Sequence, residues 1–446
     1  MIKRLFFFFG AIVMLLTACE NNDSFSTDPS YRLTFSVDTV RIDTLFSDVP
    51  SCTKTFWVYN NSSDGVRIRT VRLDRGNQSG FRVNVDGTFL NPVATDLEVR
   101  KGDSLRVFVE VTTRENYQSD PQLVEDNLLF MLESGVEQRI NLRTYSWDAK
   151  SMRDVVVSSD QTIEEEKPLI IYGKGITVNE GATLTIRNTT LYFHDGAGID
   201  VKGRLVVENV LMRGDRLDHM FDYLPYDRVS GQWRGITVKA KSKGIEMIDC
   251  ELRNACTALS CDTTTIELTN TVIHNCKGYG LTALDSEVTL SNCLISNTLN
   301  DCLYLRGCTA DVNQCTLAQF YPFSANRGAA FRFVNTEQPL LLTCSNTVVT
   351  GYADDVLFDD SDKEKAKELM SYTFKNCLLR TPPVESTEAL QDIIWEKSTD
   401  EIQGSKHFVT FDDVKFIYDF HLKEESPAFI AKMGWPGYPE DSSTDQ

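Results

Sequence analysis

Two stretches decide the fold: Thr265-Ile266-Glu267-Leu268-Thr269-Asn270-Thr271-Val272-Ile273, and then Glu287-Val288-Thr289-Leu290-Ser291-Asn292-Cys293-Leu294-Ile295. Each alternates apolar and polar residues, reaches an Asn, and resumes with apolar residues. The same frame appears earlier as Leu184-Ile186-Asn188, Leu205-Val207-Asn209 and Ile245-Met247-Asp249, and later as Ala310-Val312-Gln314, Leu342-Cys344-Asn346 and Tyr372-Phe374-Asn376. The Asn-like positions lie 21, 40, 21, 22, 22, 32 and 30 residues apart, a period of 21 or 22 with insertions. Fixed periods of this size mark stacked repeats.

Each period holds more than one strand. Apolar clusters at Ile199-Val201, Ile236-Val238, Ala258, Leu281, Leu303, Phe331 and Leu357 lie between the Asn frames. A third set, including Leu252, Ile273, Ile295, Leu317 and Val349, follows the Asn directly. Three strands in about 22 residues make one coil of a parallel β-helix, each coil stacking on the last at about 4.8 Å. The corner before the third strand needs a left-handed residue, which Asn tolerates. Cys250, Cys293, Cys315 and Cys377 follow that corner and point inward as a ladder of free thiols, since stacked Cβ atoms about 4.8 Å apart exceed disulfide geometry. Cys256 and Cys302 lie near the first strand and are further core candidates. With no Cys-x-x-Cys and no clustered His, no metal site is expected.

The pattern resembles the right-handed parallel β-helix family, which includes pectate lyase-like proteins. The resemblance covers about half of the chain and implies a fold but not a reaction, because that scaffold carries lyases, hydrolases, epimerases and adhesins. The coil and its C-terminal cap are placed at 165–433. Segments 363–370 and 386–397 carry helix-like apolar spacing at Leu369, Met370, Leu390, Ile393, Ile394 and Trp395, and are expected to cap the coil. Tyr418-Asp419-Phe420-His421-Leu422 with Ser426-Pro427-Ala428 resembles the closing segment of exported β-helix proteins. Residues 434–446 are expected to fray.

Residues 31–147 alternate with period two, as in Leu33-Phe35-Val37, Phe81-Val83-Val85 and Leu105-Val107-Val109-Val111, between turn clusters such as Asp86-Gly87 and Lys101-Gly102-Asp103. Short strands at this spacing predict an antiparallel β-sandwich. Tyr59-Asn60 ahead of Gly102-Asp103-Ser104 resembles the immunoglobulin-like modules of the ASH type, which implies a spacer or contact module. The expected fold class is therefore all-β, with an N-terminal antiparallel β-sandwich followed by a right-handed parallel β-helix.

The chain begins with Lys3 and Arg4 and an apolar run from Leu5 to Leu16, too short for a spanning helix and suited to a signal peptide over 1–18. Leu16-Thr17-Ala18-Cys19 resembles the lipobox of bacterial lipoproteins, which implies cleavage before Cys19 and lipidation of it. More than one acyl chain anchors stably. Residues 19–30 are polar and read as a flexible tether. Their acidic residues resemble surface-export signals, which implies the outer face of the outer membrane. Over the 446 residues, 64 acidic against 45 basic side chains give a formal net charge of −19. That excess opposes nucleic acid as a partner and disfavours polyanions unless cations bridge them.

The unusual segment is 212–234, a loop leaving the coil with aromatics, acids and one His. His219, Asp222, Tyr223, Tyr226, Asp227, Trp233 and Arg234 are its candidate ligand-binding residues: aromatics can stack on sugars, and Asp and Arg can bond hydroxyls. The competing reading folds the loop back, burying Phe221, Leu224 and Trp233. Outward candidates on the first sheet are Asp200, Lys202, Thr237, Lys239, Ser260, Asp262, Thr282, Tyr304, Arg306, Arg332 and Asp355. No run of acids lines consecutive coils, which counts against a catalytic groove. The leading expectation is a non-catalytic scaffold that binds glycan or a partner protein and needs no cofactor. The alternative is a polysaccharide lyase or glycoside hydrolase using 212–234, with Ca²⁺ if it is a lyase.

Overall fold

The computed structural model describes residues 24–118, 120–221, 223–361, 368–384 and 388–437. Cys19, Asp222, most of the 363–370 segment and the tail beyond 437 lie outside the described residues. The chain divides into two compact units between Asp148 and Ala149.

The first unit holds two sheets. One has five antiparallel strands, centred on Lys54–Tyr59, Ser104–Val111 and Phe81–Val85. The other pairs Gln122–Leu132 antiparallel with Glu137–Trp147 and with Val66–Leu73. Its edge departs from the antiparallel expectation, because Thr39–Arg41 and Leu45–Phe46 run parallel to Glu137–Trp147. Inward residues of both sheets, among them Val58, Val107, Val109, Ile68, Leu128 and Phe130, form one buried core. The alternation follows from the two-residue period of a strand with one face covered. Within the expected tether 19–30, the described residues from Ser24 onward make contacts with the first unit. Phe25 bridges to Gly65, Ser26 donates its amide to the Gly65 carbonyl, and the Arg67 guanidinium lies 4.5 Å from the Phe25 ring centroid.

The second unit is a parallel coil. It starts at Lys150–Val157, two strands before the expected 165, the second being Gln161–Ile163. Ile245, Ile266, Val288, Ala310, Leu342 and Tyr372 stand in register on the second sheet. Ile236, Leu259, Leu281, Leu303, Phe331 and Leu357 do so on the first. Leu259 rather than Ala258 takes the register position in its coil, and both are buried in the core. The column of inward residues makes a continuous core.

The corner residues behave as the frame requires. Asn188, Asn209, Asp249, Asn270, Asn292, Gln314, Asn346 and Asn376 all have φ between 50° and 55°. Asn270 Nδ2 donates to Asp249 Oδ1 at 2.9 Å, and Asn292 Nδ2 donates to Asn270 Oδ1 at 3.1 Å. Gln314 leaves the ladder and donates instead to the carbonyls of Lys432 and Gly434. The Gly434 amide donates to Asn346, and Trp435 is buried, so residues 434–437 pack on the coil instead of fraying.

Cys250, Cys293, Cys315 and Cys377 are buried free thiols, as are Cys261, Cys276, Cys302, Cys308 and Cys344. Burial pushes the Cys250 thiol up to about 12. Cys256 is exposed, against its expected place in the core. The segment expected as a helix at 386–397 is a strand: Leu390–Trp395 pairs parallel with Met370–Leu379 and adds one more coil. Beyond it a hairpin, Phe408–Asp412 with Ile417–Leu422, covers the outer face of the third sheet through Phe320, Phe408, Phe420 and Trp435.

Candidate functional site

The 212–234 insertion leaves at the end of the Arg204–Gly214 strand and returns at Gly235–Val238. Its root is core. Trp233 is 1% exposed, stacks on Phe193 at 4.3 Å between centroids, and donates Nε1–H to the Arg253 carbonyl. Leu224 is buried too. Asp227 sits among Arg213 (2.9 Å), Arg253 (3.2 Å) and Arg228 (3.5 Å). Burial pulls its carboxyl upward, but those guanidiniums outweigh it and hold Asp227 at about 2. Glu251, bonded to Arg253 and His274, is likewise raised by burial yet held at about 2. Tyr226 lies beneath the Arg216 guanidinium at 4.5 Å. The Ser230 and Tyr321 hydroxyls meet at 2.8 Å.

The insertion is therefore folded back against the third sheet. It does not gather the six described candidates into one site. Trp233 and Asp227 serve packing and ion pairing. Tyr226 is half-buried, His219 pairs with Pro225 in a short hairpin, and Tyr223 is 69% exposed at its tip. Phe221, expected to be buried if the loop folded back, is 53% exposed and stacks on Tyr223. Arg234 belongs elsewhere. Its guanidinium forks both oxygens of Asp200 at 2.9 and 2.7 Å on the first sheet, and that bond holds the Asp200 carboxyl below its ordinary value.

The outward row of the first sheet is a second candidate surface. In register it reads Asp200, Thr237, Ser260, Thr282, Tyr304, Arg332 and Phe358. Asp355 is not on this row; its carboxylate accepts from the Thr381 hydroxyl. Tyr279 stacks on Tyr304 at 5.9 Å, and the Arg306 guanidinium lies 5.3 Å from the Tyr304 ring. Arg332 lies 5.0 Å from the Phe358 ring and holds two carboxylates, Asp301 at 3.0 Å and Asp360 at 3.4 Å. Asp301 also accepts the Ala329 amide at 2.6 Å. Tyr279 and Asp301 escaped the sequence reading, although their 22-residue separation matches the repeat and could have placed both on the turn before the first sheet.

Chemically this strip offers stacked rings, hydroxyls and guanidinium edges. A glycosidase acid must hold its proton near neutrality, as burial away from cations achieves. Asp200 is held by Arg234 instead, which favours its ionised form, and Asp301 and Asp360 are both ion-paired to Arg332. Among the described residues, no group of three or more His, Cys, Asp or Glu is placed to hold a metal ion. No helix there is long and apolar enough to cross a membrane.

Residues 155–317 match the family described as right handed beta helix region, and the chain is all-β with such a region. No curated protein matches the chain. Among solved structures, a family 123 glycoside hydrolase from Clostridium perfringens is 7% identical over 30% of this chain, at a TM-score of 0.20. The chain spans 31% of that hydrolase's length. PapD-like domain 7 of human CEP192 is 10% identical over 26% of this chain and 87% of its own, at 0.18. The catalytic unit of a GH87 α-1,3-glucanase from Streptomyces thermodiastaticus is 9% identical over 76% and 89%, at 0.16. TM-scores this low carry no argument about fold or activity.

Proposed function

We propose that this chain is an exported lipoprotein, held through Cys19 at the outer face of the outer membrane, whose coil binds glycan without cleaving it. The observation that carries the binding reading is the Tyr279–Tyr304 stack beside Arg306, Thr282 and Arg332, where the two neighbouring carboxylates are both engaged by Arg332. Stacked rings and forked donors suit a sugar's apolar face and its hydroxyls. The in-register row of that sheet carries one acid, Asp200, where glycoside cleavage uses a pair of carboxylates. The sandwich, read as an immunoglobulin-like module, serves as a spacer or contact module, and Leu16-Thr17-Ala18-Cys19 supports the anchor.

The test is a panel of polysaccharides offered to purified full-length protein, read for binding and for product. Retention on a glycan, lost in Tyr304→Ala, is expected. New reducing or unsaturated ends would replace this reading with a hydrolase or lyase. For the anchor, Cys19→Ala should abolish lipid labelling and membrane retention; retention that persists overturns it.

A further inference from the structure

The outer face of the five-stranded sheet in the first unit carries a surface that the coil's proposed role does not use. Strand alternation sends Val58, Val107 and Val109 into the core, so Trp57, Arg106 and Phe108 point the other way. Trp57 stands opposite Arg106, and Phe108 stands opposite Asn84, which in turn pairs with Phe89. Trp57 is 40% exposed and Phe89 60%. Isolated exposed aromatics need no explanation, but three gathered on one sheet face mark an interaction site.

The polar groups among them narrow the ligand. The Arg106 guanidinium lies 5.6 Å from the Trp57 ring centroid and 4.9 Å from that of Phe108. Among the described residues it makes no ion pair, not even with Asp86, whose amide donates to the Arg106 carbonyl. Rings on its faces leave the N–H edge of a guanidinium free, and that edge matches a carboxylate. Beside it lies a cleft of about 410 Å³ lined by Phe89, Phe108, Asn84, Arg82, Glu110 and Thr53. Glu110 is occupied, accepting from the Thr53 hydroxyl and pairing with Arg82 at 3.4 Å. Against the net charge of −19, which disfavours polyanions over the chain as a whole, this patch locally presents a guanidinium with no ion pair among the described residues. Charge complementarity selects an anionic ligand, and the flanking rings select one with an apolar ring face.

We propose that this face binds a carboxylate-bearing saccharide, a uronic acid unit of a polymer, with the carboxylate on Arg106 and the sugar ring against Trp57, which stands opposite that arginine. It is a second site, on the other unit from the coil's first sheet, and stands whether or not that sheet binds glycan.

The experiment titrates the full-length protein, in mild detergent, with alginate, polygalacturonate and hyaluronan oligosaccharides and with their carboxyl methyl esters. At least one acid form is expected to bind, its ester at least tenfold more weakly, with affinity falling as salt rises. Arg106→Gln should erase the difference between acid and ester. Trp57→Ala should weaken both forms, and Tyr304→Ala on the coil should leave the acid preference intact. Circular dichroism of each variant checks that the sheet still forms. Failure of all three acid polymers to bind overturns the proposal. So does equal binding of acid and ester, or an acid preference that survives Arg106→Gln. An acid preference lost in Tyr304→Ala but kept in Trp57→Ala would place the carboxylate on the coil and also overturn it.

Discussion

A single corner residue shows how the coil enforces its sequence. Asn270 sits at φ 50°, donates to Asp249 and accepts from Asn292. Two physical demands meet there, a left-handed backbone and a pair of stacked amide bonds. They separate experimentally. Asn270→Gly keeps the backbone and loses the bonds, which costs about 1 kcal/mol for each bond lost. Asn270→Ala loses the bonds and adds the left-handed penalty of about 1–2 kcal/mol. Urea denaturation should therefore rank wild type above the Gly variant, and the Gly variant above Ala; equal midpoints for the two variants would deny the backbone half of the argument. The cysteines allow a second test at this scale. Cys256 is exposed and Cys52 half-buried, whereas Cys250, Cys293, Cys315 and the other core thiols are sealed, with burial pushing Cys250, Cys276 and Cys302 up to about 12. Iodoacetamide on the native protein at pH 8 should modify Cys256 first, Cys52 more slowly, and the core thiols only after denaturant is added. Peptide mass mapping reads the order, and early labelling of Cys293 or Cys315 would contradict a closed coil.

At the scale of elements, the insertion is held by charge. Asp227 and Glu251 are both held at about 2, below the roughly 4 of an unfolded carboxylate, and burial pushes the His274 imidazole below its ordinary value. For all three groups the unfolded state binds more protons in the window between the two values, so stability falls as pH falls. The carboxylate part is complete above about pH 5 and is lost between about pH 4 and 2. Pepsin digestion at pH 3 should therefore cut within 215–232 before it cuts the coil, and Asp227→Asn should show the same cuts at pH 5 with a protease active there. An insertion equally resistant at pH 3 and pH 7 would show that Trp233 and Leu224 hold it without the ions. This element also marks where the sequence stopped being legible. Stacked coils need the same residue type at each corner, so the repeat wrote itself into Asn188 through Asn376. The partners of Asp227 come from Arg213, Arg253 and Arg228, which no period links to it, so a loop rich in aromatics and acids reads alike whether open or folded back. The last coil was misread for a related reason. Asp392 takes the corner conformation at φ 54°, opposite Asn376, with Leu390 before it and Ile393 and Ile394 after it. A corner between two strands puts apolar residues three and four apart, which is the spacing of a helix. On the first sheet, Tyr304 and Arg332 were readable from the strand frame, whereas Asp301 and Tyr279 lie on turns whose side-chain directions the frame does not set.

Each unit has its own main core, with no residue shared between the two among those described, and two smaller clusters lie under the closing segment of the coil. One main core is the sandwich interior around Leu128, Val107 and Phe130, and the other is the coil interior around Leu290, Ile273 and Leu305. Non-directional burial of apolar surface is what makes a unit melt together, so two separate cores imply two cooperative transitions. Within the coil the contacts run from each turn to the next, and the Gln314, Asn346 and Thr316 bonds to residues 432–435 tie its last turns to the closing segment. That tie opposes fraying from the C-terminal end, as a cap does in a stacked-repeat protein. Calorimetry of the full-length protein should therefore resolve two endotherms. Leu128→Ala removes a fully buried side chain from the sandwich, Leu290→Ala does so from the coil, and each should cost about 2–5 kcal/mol in its own unit. The first substitution should lower one endotherm by several degrees and leave the other in place, and the second should do the reverse. A single endotherm that moves with both substitutions would mean that the two units melt as one, and the separation of their cores would then not set the cooperativity of this chain.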